Sequence, residues 1–162
     1  IGAAFGSVAL VGGDLLVTGA LLAAADRIKS TGKKAAGMGV TGALIIGAAQ
    51  AFAILPGISR SGTTICVALF LGLDRKEAAR FSFLLAIPAI AGAAVLKLKD
   101  TLDAGADVNL VVVASGMTVA FVSGLLALQW LIHVLNKGKL LGFAIYCWVI
   151  GVSAIAGAFI FL

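Results

Sequence analysis

Leu55-Pro56-Gly57-Ile58-Ser59-Arg60-Ser61-Gly62-Thr63-Thr64 is the stretch on which the fold turns, because it is a polar break inside a long apolar neighbourhood. Before it, residues 42–55 are apolar apart from Gln50; after it, residues 65–73 are wholly apolar. Proline removes a backbone donor and clashes with the preceding turn, and glycine permits dihedrals other residues avoid. The break therefore predicts a helix, a loop, and a second helix whose first turn carries Ser59, Ser61, Thr63 and Thr64. Arg60 is the only charge in the break, and an ionisable residue at such depth marks a functional site by default. A helix start presents unpaired N–H groups and the positive end of the helix dipole, so with a guanidinium and hydroxyls added it suits phosphate. Against this stands the plain reading that Pro and Gly merely kink a membrane helix whose Ser and Thr bond backbone carbonyls. An Arg flanked by two serines tips the balance to an anion site.

Working outward, the 162 residues are 62% hydrophobic and 12% charged, with a mean hydropathy of +1.17. Ordinary soluble domains carry about 25% charged residues, so a soluble fold is excluded. Several runs approach the ~20 apolar residues that cross a bilayer, which predicts an all-α, multi-pass integral membrane protein. The net charge of +5 does not point to nucleic acid, since no such motif accompanies it and basic residues in membrane proteins report topology. Cys66 and Cys147 lie in apolar runs without paired spacing or neighbouring histidine, and read as buried free thiols.

The arms of the break are short. Residues 42–55 give about 21 Å of helix and residues 61–73 about 20 Å, against a hydrocarbon core of about 30 Å. They form either a hairpin over about residues 42–73 that enters and leaves by one face, or one broken span. Basic flanks on both sides, Arg27, Lys29, Lys33 and Lys34 before it and Arg75, Lys76 and Arg80 after it, favour the hairpin.

Residues 1–25, 81–96, 108–132 and 140–162 are the four crossing candidates, with Pro88 a kink in the second. Gly2, Gly6 and Gly13 would let helices approach closely. Asp14, at mid-run, fits a polar cavity, a pairing on another helix, or a place near an interface equally well. Residues 97–107 form the one loop with no cationic excess, holding Lys97 and Lys99 against Asp100, Asp103 and Asp107. With Lys137 and Lys139 in the last loop, nine of the 12 cations fall in loops assigned to the cytoplasmic side, so both ends of the chain come out external. His133, beside a loop and without a second ligand nearby, reads as interfacial rather than metal-binding. No repeat or linker divides residues 1–162, which read as a single membrane domain. Residue 1 is not methionine and no leader pattern is present, so the chain reads as part of a longer protein.

Two blocks, residues 47–64 (Gly-Ala-Ala-Gln-Ala-Phe-Ala-Ile-Leu-Pro-Gly-Ile-Ser-Arg-Ser-Gly-Thr-Thr) and residues 79–88 (Ala-Arg-Phe-Ser-Phe-Leu-Leu-Ala-Ile-Pro), resemble the C-terminal portion of the undecaprenyl-diphosphate phosphatases, the bacitracin-resistance phosphatases of the bacterial envelope. They cover about a quarter of the chain. The resemblance implies a multi-pass enzyme of the bacterial inner membrane that hydrolyses undecaprenyl diphosphate to the monophosphate and inorganic phosphate, with an outward-facing site between two inverted repeats. By that match Arg60 holds the diphosphate, Ser59, Ser61 and Thr64 donate hydrogen bonds to it, Gly57 and Gly62 line the site, and Gln50 stands where the first repeat has a glutamate. Ser59 is also the candidate nucleophile.

The glutamate-rich segment of the family's first half is missing here, and with it the implied base and the ligands for a divalent cation, magnesium or calcium. Expected partners are the lipid, the bilayer, the missing N-terminal half and a second copy in a homodimer. A different class of protein, half of a secondary transporter or lipid flippase, would also place half-helix N-termini against an anionic substrate at mid-membrane.

Overall fold

A computed structural model of the chain describes residues 8–28, 32–104, 109–136 and 140–160. Lys29, Asp107, Lys137, Lys139, Gly2 and Gly6, named above, lie outside these. The described residues form six helices: α1 (Val8–Asp26), α2 (Gly39–Phe52), α3 (Arg60–Phe70), α4 (Arg75–Asp103), α5 (Leu110–Asn136) and α6 (Leu141–Ile160), with a short 3-10 turn at Ala35–Gly37. Four of them, α1, α4, α5 and α6, are long and apolar enough to cross a membrane, while α2 and α3 are not. The chain is an all-α, multi-pass membrane protein.

The two short arms form a hairpin whose ends meet. Asp74 N–H donates to the Lys33 carbonyl at 2.9 Å, so the chain entering α2 and the chain leaving α3 lie side by side. The same end of the molecule gathers the other helix starts. Arg75 donates to the Asp26 and Ile28 carbonyls at 3.0 and 3.3 Å, the Asp26 carboxylate accepts Leu140 N–H at 2.8 Å, and Glu77 accepts Ala35 N–H at 3.2 Å. One polar seam thus joins the C-terminal end of α1 to the N-terminal ends of α4 and α6 and to the base of the hairpin.

α1 and α6 run antiparallel in close contact. The reason is small side chains: a Cβ on Gly12 would come 2.8 Å from the Gly151 carbonyl oxygen, and one on Gly151 the same distance from that of Gly12. The neighbouring Gly13, expected to serve this purpose, has open space around it. Trp148 donates its indole N–H to the Leu16 carbonyl at 3.3 Å along the same seam.

Short as it is, α3 is the hub of the packing. Six of its residues are buried, Thr63, Thr64, Ile65, Cys66, Ala68 and Leu69, and they join Ile46 of α2, Leu22 of α1 and Ala78 and Ala79 of α4 in one core. Both cysteines are buried free thiols. α5 is the opposite case: the apolar window that marks it as a span is 0% buried among the described residues.

Some element ends differ from expectation. The first hairpin arm begins and ends three residues earlier than its hydrophobic run, the second begins one and ends three earlier, and α4 continues through residues 97–103, expected as loop. Lys97, Leu98, Lys99 and Leu102 are good helix residues and residues 97–103 contain no Gly or Pro, so charge there does not end the helix.

Candidate anion-binding site at the hairpin tip

The tip of the hairpin is a tight turn. Ile58 N–H donates to the Leu55 carbonyl at 3.2 Å, Pro56 holds the first corner, and Gly57 takes φ +100° at the second. A positive φ in that corner is what a type II turn requires of glycine. A side chain there is also excluded by space, since a Cβ on Gly57 would lie 2.5 Å from the Val11 carbonyl oxygen and 2.8 Å from Cβ of Asp14. Gly57 therefore faces α1, and its part in the site is to let the loop approach that helix.

Depth follows from this contact. Asp14 is 12 residues from Asp26, the residue at the polar seam, which is about 18 Å along a helix. That rise is more than half of a hydrocarbon core of about 30 Å. Asp14 itself is half-buried beside the tip, and its Oδ2 has no hydrogen-bond partner among the described residues.

Thr18 fastens the tip to α1. Its hydroxyl accepts Ser59 N–H at 3.2 Å and directs its proton to the carbonyls of Asp14 (3.0 Å) and Gly57 (3.3 Å). Ser59 in turn caps α3, its Oγ accepting Gly62 N–H at 3.1 Å. This is the N-cap arrangement expected of serine in an extended conformation. The Ser59 oxygen, the candidate nucleophile, is thus engaged as a helix cap.

Arg60 begins α3 and points away from the core. It is exposed, and no carboxylate among the described residues pairs with it. It lines a cavity of about 280 Å³ with Ser61 and Thr64 of α3 and Ser82, Phe83, Ala86 and Ile90 of α4. The backbone N–H groups of Arg60 and Ser61, the first two of the helix, and the Ser61 hydroxyl have no partner among the described residues. Guanidinium, hydroxyl, free N–H groups and helix dipole all favour a negatively charged occupant.

Two expected binding residues are placed otherwise. Thr64 is buried and directs its proton to the Arg60 carbonyl at 2.9 Å, which leaves its oxygen to accept from Ser82. Thr64 supports the first turn of α3 rather than offering a donor to the cavity. Gln50, near the end of α2, does not line the cavity; its amide donates at 3.5 Å to the Leu85 carbonyl of α4, next to the carbonyl of Leu84 that Pro88 leaves without a helical donor. Its Oε1 is buried without a partner. Gly62 lies in the first turn of α3 with its N–H held by the Ser59 hydroxyl, and it borders the neighbouring cavity rather than that of Arg60.

Ser82 is the residue the sequence does not single out. It is 3% exposed, bonded to Thr64, and lines the Arg60 cavity from the facing helix. Its signal was present only in the second block of resemblance, residues 79–88, where nothing local distinguishes a site serine from any helical one.

No group of three or more His, Cys, Asp or Glu side chains comes together among the described residues. The described residues therefore do not fit a divalent cation.

The chain is similar to several proteins named undecaprenyl-diphosphatase. It is 46% identical over 156 residues to that of Desulfatibacillum aliphaticivorans, covering 96% of this chain and 56% of the relative. It is 46% identical over 158 residues to that of Halothermothrix orenii, covering 97% of this chain and 61% of the relative. With the protein of the same name from Methanothermobacter thermautotrophicus the identity is 46% over 161 residues, 96% of this chain and 87% of the relative. The chain thus spans little more than half the length of the first two. The family model described as bacitracin resistance protein BacA matches residues 1–153, and the chain belongs to that family.

Proposed function

We propose that this chain supplies the diphosphate-gripping part of a membrane phosphatase that hydrolyses undecaprenyl diphosphate to undecaprenyl phosphate and inorganic phosphate, renewing the lipid carrier of cell-wall synthesis. The observation that carries the reading is Arg60: an unpaired guanidinium at the start of a helix, in a cavity shared with two serines. The names of the relatives supply the substrate.

Phosphoryl transfer asks the protein for positioning and charge stabilisation above all. The planar fork of Arg60 matches two phosphate oxygens, the Ser61 hydroxyl and the first N–H groups of α3 take others, and Ser82 and Thr64 keep that first turn in register. Water attacks the terminal phosphorus, the bridging P–O bond breaks, and the lipid leaves as its monophosphate. The base that accepts the water proton, and the carboxylates for a divalent cation, are assigned to residues outside those described.

The cations Arg27, Lys33, Lys34, Lys76 and Arg80 cluster near the polar seam, which supports placing that end in the cytoplasm of a bacterial inner membrane and opening the site outward.

The test is release of inorganic phosphate from undecaprenyl diphosphate by the purified full-length protein in detergent. Arg60→Ala should lower the rate by roughly 100-fold or more, the scale for removing a donor to developing charge. Near-normal turnover of that variant would overturn the assignment, and a pure carrier would release no phosphate at all.

A further inference from the structure

The mouth of α3 opens on two sides. On the α4 side lies the cavity that holds Arg60. On the other, Ser59, Ser61 and Gly62 close the end of a second cavity of about 430 Å³ whose remaining walls, from α1, α3, α5 and α6, are apolar. A third, of about 500 Å³, shares Trp130, Phe143 and Tyr146 with the second, so the two form one groove leading away from the mouth between α5 and α6. Ser61 borders both the Arg60 cavity and the groove. A molecule whose charged end sits at Arg60 therefore reaches the groove by passing a single residue.

We infer that this groove seats the first isoprene units of the polyprenyl chain whose diphosphate Arg60 holds. The inference rests on the proposed function and adds to it the place of the lipid tail. The polarity is graded as such a ligand requires: cationic at Arg60, hydroxyl at Ser59 and Ser61, apolar beyond. Each of the two apolar cavities falls in the range of roughly 300–1,000 Å³ common for bound small molecules. Trp130 and Phe143 meet edge to face at 5.7 Å and form an aromatic wall against which methyl-branched chains pack. Trp130 and Tyr146 are themselves exposed, so the groove is open along its side, which leaves a way out for the rest of a long tail. A phospholipid acyl chain shares the apolar chemistry but brings no diphosphate to Arg60.

The assignment is tested with the full-length protein and a lipid diphosphate carrying a diazirine on its second isoprene unit. Labelling within residues 127–135 or 140–147, suppressed by excess undecaprenyl diphosphate and unaffected by added phospholipid, is the expected result. Labelling confined to α4, or abolished by phospholipid, would overturn it. A second readout is kinetic. Ala127→Trp narrows the groove from an exposed position on α5, and Gly142→Leu does so from α6, where a Cβ meets nothing within 4 Å. Each should raise KM for undecaprenyl diphosphate tenfold or more while leaving kcat/KM for methyl diphosphate, which carries no isoprene unit, unchanged. Equal losses on both substrates, or no change on either, would count against the groove. Failure of the wild-type protein to release phosphate from either substrate would defeat the phosphatase reading, while the labelling pattern would still report on the groove.

Discussion

Thr18 and Ser59 lie 41 residues apart, yet the Thr18 hydroxyl accepts the Ser59 N–H at 3.2 Å and so ties the residue that caps α3 to the middle of α1. The hydroxyl also donates to the Gly57 carbonyl, and at 1% exposure it has no water to replace these partners. Thr18→Val keeps the shape and removes both bonds. It should cost about 1–3 kcal/mol, the scale for orphaned buried polar groups, seen as a lower Tm in detergent. Thr18→Ser, which retains the hydroxyl, should recover most of the loss.

Arg60→Lys separates charge from geometry. Lysine keeps the positive charge but loses the planar fork, so a site built for two phosphate oxygens is only partly served. Phosphate release should fall about tenfold or more through an affected kcat/KM, a loss of at least 1.4 kcal/mol by the usual conversion, with Tm unchanged because the Arg60 side chain is exposed. A lysine variant as fast as wild type would show that charge alone suffices.

Ser82→Ala removes the group that bonds Thr64 from the facing helix. Thr64 retains its bond to the Arg60 carbonyl at 2.9 Å, so the stability cost should be modest, about 1 kcal/mol. The larger effect is expected in KM for the lipid diphosphate, measured by phosphate release over a concentration series, because Ser82 also lines the Arg60 cavity.

Gly57→Ala meets two obstacles together: a backbone at φ +100° and a Cβ placed 2.5 Å from the Val11 carbonyl oxygen. The left-handed conformation alone costs roughly 1–2 kcal/mol, and the contact adds to it by pushing the tip away from α1. Both Tm and phosphate release should drop. Gly13→Ala is the control: a Cβ there meets nothing within 4 Å, so phosphate release should be unchanged and Tm should hold or rise, as alanine favours a helix interior over glycine.

What the sequence makes legible is what is local. Pro56-Gly57 between two short apolar runs shows the turn, the lengths of those runs show that neither arm crosses alone, and Arg60 shows itself as the one charge in the interval. Distant pairings leave no such trace. Asp14 comes against Gly57, Ser82 against Thr64 and Gln50 against Leu85 only because three helices converge on α3, and each of these residues has an ordinary helical neighbourhood in its own segment. Helix ends were missed for a related reason: hydropathy follows the lipid boundary, whereas the hydrogen-bonded helix follows backbone propensity, and in α4 the second outruns the first by a full turn and more.

The bond from Asp74 N–H to the Lys33 carbonyl has a consequence for biogenesis. A loop closed at its base can sink into the bilayer from one leaflet without any flanking lysine or arginine having to be carried across. Arg60 is the only cation that must travel inward, at about 2.5–3.5 kcal/mol by insertion scales, and the two greasy arms on either side outweigh it. The same knot of main chain that shapes the hairpin thereby lets it be threaded late, after its neighbours have already crossed.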